Sequence, residues 1–100
     1  MLAPPPFQAV MVRVLRNLKS VYVAKGEFGK AADTLERMLA LDSRSAPDVR
    51  DYGLILSRLG LTNLALAYLE RYMMLDPDAS DCESVRHHAK VLLGERVHWS

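Results

Sequence analysis

The fold is decided by a stretch that occurs twice, GEFGKAADTLERMLALD at 26–42 and GLTNLALAYLERYMMLD at 60–76. Seven residues are identical between the two copies at an offset of 34, the first pair being Gly26 and Gly60 and the last Asp42 and Asp76. A 34-residue period with a glycine between two helical runs is typical of a helical repeat. Because one repeat cannot bury its own apolar face, repeats stack and present a surface rather than a catalytic pocket. The pattern therefore predicts a binding function.

The composition is that of a single folded domain. The chain has 100 residues, of which 50% are hydrophobic and 25% charged, and its net charge is +1. Such a balance favours neither nucleic acid nor an anionic membrane as a partner. The sequence has no apolar run of membrane-spanning length. Residues 1–6 have neither a basic segment nor a long apolar segment, so we do not expect them to be a secretory signal. The single cysteine, Cys82, is compatible with a reducing compartment, so we expect a cytoplasmic location.

Apolar residues spaced three and four apart predict five helices. The predicted bounds are about 7–25, 28–41, 48–59 and 62–75, with a fifth helix that extends to about residue 93. Gly26, Gly60 and Gly94 are expected to end the first, third and fifth helices, since glycine is favoured just after a helix. The domain then spans 7–94, with repeats at 12–45 and 46–79 and a cap at 80–94. We expect residues 1–6 to form an extended lead-in and 95–100 a loose tail.

Three small residues predict close contacts between helices. Ala31 and Ala65 occupy equivalent repeat positions where two helices must approach each other. Gly53 lies inside a helix, where glycine costs roughly 1 kcal/mol relative to alanine. That cost predicts close backbone packing at Gly53.

The two copies resemble the tetratricopeptide repeat. The first repeat carries the pattern at Leu18, Tyr22, Gly26, Phe28, Ala31, Leu35 and Leu41, and the second at Gly53, Leu56, Gly60, Ala65, Leu69, Leu75 and Pro77. Both copies depart from it: Ser43 replaces a usual proline, Lys19 a small residue, and Thr62 an aromatic residue. The resemblance implies an all-α right-handed superhelix of two helix-turn-helix repeats with a C-terminal capping helix. It also implies a protein–protein interaction module.

A narrower resemblance concerns the segments 15–19, 50–54 and 69–72. With the proline-containing lead-in, they look like the C-terminal part of a bacterial family that joins a transglutaminase-like domain to a tetratricopeptide region. This implies a C-terminal scaffold whose partner is its own N-terminal domain in cis. A stand-alone module that binds an acidic or extended peptide, and a self-associating structural domain, remain open. No catalytic residue of the N-terminal domain maps onto this chain.

Three arginines form the candidate binding site. In this repeat type the first helix of each pair lines the concave face, and Arg13, Arg16 and Arg50 are at positions that point towards it. Guanidinium groups bind carboxylates through two parallel hydrogen bonds. We therefore expect an anion site, unless these arginines are simply solvated or Arg50 pairs with Asp51 or Asp48.

The fourth helix is apolar on nearly all sides, which is unusual for a surface helix. Leu61, Leu64, Leu66 and Met73 are therefore predicted to form an apolar partner surface. A second copy of the chain or another domain would cover it.

The residues do not predict catalysis, a metal or a cofactor. Cys82 lies five and six residues from the adjacent His87 and His88, which is a poor spacing for zinc ligands. No nucleophile, base and orienting group converge in the predicted fold. The known carboxylate clamp of this repeat type uses asparagines and lysines at positions that are Ser20, Asp51 and Asp81 here, so we do not expect a chaperone tail to bind in that mode.

Overall fold

The protein is a chain of five α-helices, seen in a computed structural model that describes residues 6–99, with side chains described for 6–94. The helices are α1 (Pro6–Ala24), α2 (Phe28–Leu41), α3 (Ala46–Arg58), α4 (Thr62–Leu75) and α5 (Cys82–Trp99). Between residues 6 and 99 there is no strand. The predicted all-α helical repeat fold is confirmed.

The helix ends follow the sequence signals closely at α2 and α4, which have the predicted bounds. The start of α3 differs, because Pro47 lies inside its first turn rather than in the preceding loop. Proline is tolerated there, since the first N–H groups of a helix have no partner within it. Pro6 is likewise the first residue of α1, while residues 1–5 of the expected lead-in lie outside the described residues.

The end of α5 was predicted wrongly. Gly26 and Gly60 have φ angles of +73° and +80°, and each follows the end of a helix as expected. Gly94 lies 34 residues after Gly60, but α5 continues through it to Trp99. Its φ is not positive, so this glycine does not act as a helix stop. Residues 95–99 are thus helical rather than a loose tail, and residue 100 lies outside the described residues.

The 34-residue offset recurs in the backbone hydrogen bonds. The N–H of Glu27 donates to the carbonyl of Tyr22 at 2.8 Å, and that of Leu61 donates to Leu56 at 3.0 Å. At the other end of each repeat, the Asp42 and Asp76 amides both close the preceding helix at 3.0 Å. The two repeats therefore share the same turn geometry at Glu27 and Leu61 and at Asp42 and Asp76.

Each helix packs on its neighbours in chain order, and the small residues lie where the helices meet. Ala31 and Ala65 are both completely buried. A Cβ atom added at Gly53 would lie 2.9 Å from Cδ2 of Leu69, a residue of α4 that is itself completely buried. The predicted close approach at Gly53 is confirmed.

Within the described residues, no helix has the combination of length and hydropathy that crossing a bilayer requires.

Candidate protein-binding groove

The groove lies between α1 and α3, whose polar side chains link the two helices. Nη1 of Arg16 is 3.3 Å from Oδ1 of Asp48, a nearly buried carboxylate in the first turn of α3. The helix dipole also favours a negative charge at that position. One turn further along, Nζ of Lys19 is 3.0 Å from Oδ2 of Asp51. Arg16 and Lys19 of α1 are therefore both neutralised by carboxylates of α3.

Arg50 forms the corresponding link from α3 to the start of α5. Its Nη2 is 3.0 Å from Oδ1 of Asp51, and its Nη1 is 3.0 Å from Oδ2 of Asp81. The hydroxyl of Tyr72 on α4 donates to the other oxygen of Asp81. Three elements thus meet at Asp81.

This network shifts the pKa values of its members. The hydrogen bond from Tyr72, followed by Arg50, holds the pKa of Asp81 below its usual value. The same bond raises the pKa of Tyr72. Partial burial lowers the pKa of Arg50, but its bonds to Asp51 and Asp81 outweigh this and raise it. The network therefore favours a charged carboxylate, a charged guanidinium and a neutral phenol.

The three arginines do not form the expected open anion site. Arg16 and Arg50 occupy the same repeat position, and each binds a carboxylate at or just before the N-terminus of the next helix that lines the groove. The sequence offered Asp51 or Asp48 as partners of Arg50, and in the structure Arg50 takes Asp51 while Asp48 pairs with Arg16. Arg13 is exposed and has no ion-pair partner among the described residues. Carboxylates of the chain itself thus already pair with two of the three arginines, Arg16 and Arg50.

Beyond the Lys19–Asp51 pair, the groove opens into a cavity of about 580 Å³. Its lining is largely apolar: Val23 and Ala24 of α1, Phe28 of α2, and Leu54 and Ile55 of α3. Val23 is 40% exposed, so the cavity has an open side. It can accept an apolar side chain of another molecule.

Arg58 lies at this cavity, with its guanidinium carbon 5.8 Å from the centre of the Phe28 ring. Among the described residues no carboxylate lies within 4 Å of it, in contrast to Arg16 and Arg50. The sequence interpretation missed Arg58 and Leu54. The signal was available, since they lie eight and four residues after Arg50 and therefore on the same side of α3.

The predicted apolar surface on α4 is divided between two sides of the helix. Leu61 and Leu64 are 46% and 51% exposed and line a shallow cavity beside α2. Leu66 is only 8% exposed and is part of the core, so its assignment to an exposed surface was wrong. Met73 is half-buried and lines a different cavity, against α5. Because α4 packs between α3 and α5, these four residues cannot face one partner.

Helix pairs repeated at 34 residues, with a groove lined by the first helix of each pair, define a helical-repeat binding protein. Residues 18–90 match the tetratricopeptide repeat family, and the chain belongs to it. Repeats of this family generally mediate protein–protein interaction.

Two longer bacterial proteins are similar to this chain. A UPF0162 protein of Xylella fastidiosa strain Temecula1 is 38% identical over 96 residues, which are 96% of this chain and 34% of that protein. A UPF0162 protein of strain 9a5c is 36% identical over 96 residues, with the same coverage. The chain thus spans about a third of the length of these curated relatives.

Proposed function

We propose that this chain binds an extended segment of another protein in the groove between α1 and α3. An apolar side chain of that segment enters the cavity at Leu54, and a nearby carboxylate binds Arg58. The observation that carries the proposal is the apolar cavity with a guanidinium at its edge that has no carboxylate partner among the described residues.

The expected affinity is modest. Burying one leucine-sized side chain contributes roughly 1.5–3 kcal/mol. A partly exposed arginine–carboxylate pair adds about 0.2–1 kcal/mol. Additional backbone contacts of the segment are offset in part by the cost of ordering it. These contributions come to about 2–4 kcal/mol, so we expect a dissociation constant on the order of 1 mM or weaker for a short peptide. Binding should weaken further as salt screens the ion pair.

Arg16 and Arg50 have a supporting role in this proposal. Their carboxylate partners link α1 to α3 and α3 to the turn before α5, which fixes the spacing of the groove walls. Arg13, which has no such partner among the described residues, is not part of the proposed contact with the peptide.

The experiment is a fluorescence-polarisation titration with labelled eight-residue peptides. One peptide carries leucine and glutamate two residues apart, a second has glutamine for glutamate, and a third has alanine for leucine. The wild type is compared with Arg58→Gln and with Arg37→Gln, an exposed arginine of α2 that serves as the matched control.

We expect Arg58→Gln to weaken the leucine–glutamate peptide about three- to fivefold and to remove its advantage over the glutamine peptide. Arg37→Gln should bind as the wild type does. Equal affinity in wild type and Arg58→Gln, or no preference for the leucine peptide over the alanine one, would refute the proposal.

A second candidate is the C-terminal scaffold of a transglutaminase-like protein, in which the segment comes from a neighbouring domain of the same chain. Two findings support it: the coverage of only 34% of the relatives, and the resemblance in segments 15–19, 50–54 and 69–72. The length of the natural gene product is the first test, since a product with no further domain excludes it. If a further domain exists, it should bind this chain in trans and lose affinity in Arg58→Gln.

A further inference from the structure

An uncovered apolar stripe runs along the outer side of α1. Its five members are all exposed to solvent: Phe7 by 75%, Val10 by 57%, Val14 by 47%, Leu18 by 39% and Val21 by 46%. At about 100° per residue, they occupy a band roughly 80° wide on the helix surface. Scattered apolar residues are normal on a protein surface, whereas a continuous stripe of this kind marks an interface.

The repeat register shows that this side of the helix is suited to packing against another helix. The positions of α3 that lie 34 residues after Val14, Leu18 and Val21 are Asp48, Tyr52 and Ile55. All three are buried, with at most 7% exposure. Tyr52 contacts α2, where its hydroxyl donates to Oε1 of Glu36 at 3.0 Å. The equivalent side of α1 has no helix on it among the described residues.

The geometry points to a second copy of α1 as the occupant, and we propose that the stripe is the interface of an antiparallel homodimer. Successive members of the stripe are 3, 4, 4 and 3 residues apart, so their spacing is the same in both chain directions. A two-fold axis at Val14 therefore places Phe7 opposite Val21 of the partner subunit and Val10 opposite Leu18 of the partner subunit. The stripe is complementary to itself, as a two-fold interface requires.

The size of the stripe sets the strength of the dimer. With side chains that expose roughly 150–200 Å² when free, these fractions give about 400–500 Å² of apolar surface per protomer. Two copies bury about 800–1,000 Å² before the edges are added, which is at the low end of specific interfaces. We expect a reversible dimer with a dissociation constant on the order of 10–100 μM.

The charges around the stripe predict how salt changes the strength of the dimer. α1 contains no Asp or Glu, so no ion pair can form between two copies of this helix. Arg13 is exposed at the edge of the stripe, next to Val14, and the axis brings the two Arg13 side chains to the same edge. Arg16 faces α3 through Asp48, and Lys19 through Asp51. Repulsion between the two Arg13 groups is screened by salt, so the dimer should tighten as salt rises.

The test is sedimentation of the wild type from about 5 to 500 μM, with two matched variants. Val14 and Val91 are both valines with 47% exposure, on α1 and α5 respectively. Val14→Glu places two carboxylates at the axis and should weaken the dimer about 100-fold. Val91→Glu should dimerise as the wild type does, and the melting temperature of each variant reports whether it is folded.

A third variant, Arg13→Gln, should tighten the dimer at 50 mM salt and remove its dependence on salt. A wild type that remains monomeric at 500 μM overturns the proposal. So does a dimer that survives Val14→Glu, or one that dissociates in Val91→Glu. A dimer that weakens as salt rises would equally refute α1 pairing, because it would require attractive charges that this helix lacks.

Discussion

Replacing Gly53 with alanine tests the closest helix contact in the molecule. The added Cβ would lie 2.9 Å from Cδ2 of Leu69, 3.1 Å from its Cγ and 3.3 Å from its backbone nitrogen. A change of Leu69 rotamer could move Cδ2 and Cγ, but Leu69 is completely buried in a close-packed core. The contact with the backbone nitrogen remains in any rotamer, so α4 itself must shift.

Two opposing effects decide whether Gly53→Ala raises or lowers the free energy of unfolding. Alanine is favoured over glycine in a helix interior by about 1 kcal/mol. Overpacking of a close-packed core costs about 1–3 kcal/mol, and a contact that involves backbone lies in the upper part of that range. We therefore expect Gly53→Ala to lower the free energy of unfolding by about 1–2 kcal/mol. At 4–8 °C per kcal/mol for a domain of this size, the melting temperature should fall by roughly 5–15 °C.

Gly94→Ala is the matched control. Gly94 also lies inside a helix, its φ is not positive, and a Cβ there would meet nothing within 4 Å. The free energy of unfolding of Gly94→Ala should rise by up to about 1 kcal/mol from helix propensity alone. Thermal unfolding followed by circular dichroism measures both variants. If Gly53→Ala is stabilised as much as Gly94→Ala, the close approach of α3 and α4 is refuted, and if Gly94→Ala is destabilised, α5 does not continue through residue 94.

Three further predictions concern the core and the polar network. Ala65→Leu should overpack a completely buried helix contact and cost about 1–3 kcal/mol in urea unfolding, as should Ala31→Leu at the equivalent position. Arg50→Ala should lower the stability of the monomer by on the order of 1 kcal/mol, whereas Arg13→Ala should leave the stability of the monomer unchanged. Burial and then Glu36 raise the pKa of Tyr52 to about 12, so its stabilising effect should be complete below pH 10 and be lost as pH rises towards 12. Tyrosine absorbance against pH should show that late transition, and Tyr52→Phe should reduce its amplitude, leaving the contribution of Tyr72, whose pKa is also raised.

The sequence alone was sufficient to predict the bounds of those helices whose ends are set by local chemistry. Both α2 and α4 follow a turn that contains a glycine with positive φ, and both end before an aspartate, Asp42 or Asp76. The end of α5 could not be predicted in this way. Gly94 has the residue type and the spacing of a stop, but whether a glycine adopts positive φ depends on how the following chain packs.

The candidate site was predicted only in part, because its contacts join residues far apart in the chain. The repeat register gave the side of the helix on which Arg16 and Arg50 lie. It did not give their partners, which are 32 and 31 residues further on and depend on how successive helices pack. The division of the α4 surface could have been foreseen. Leu61 and Leu66 are five residues apart, which places them about 140° apart around the helix.

The two proposed surfaces lie on opposite sides of α1. Val14, at the centre of the stripe, and Val23, in the groove, are nine residues apart, which is half a turn around the helix. Neither surface shares a side chain with the other, so their free energies should add. We therefore expect Val14→Glu to leave peptide affinity unchanged and Arg58→Gln to leave the dimer unchanged. Rising salt should weaken peptide binding, because it screens the attraction between Arg58 and the peptide carboxylate. The same rise should tighten the dimer, because it screens the repulsion between the two Arg13 side chains. Peptide titrations at 50 and 500 mM salt, with the oligomeric state measured in the same samples, decide the matter. If peptide binding changes with dimerisation at constant salt, the two surfaces are coupled through α1 and the additive description is wrong.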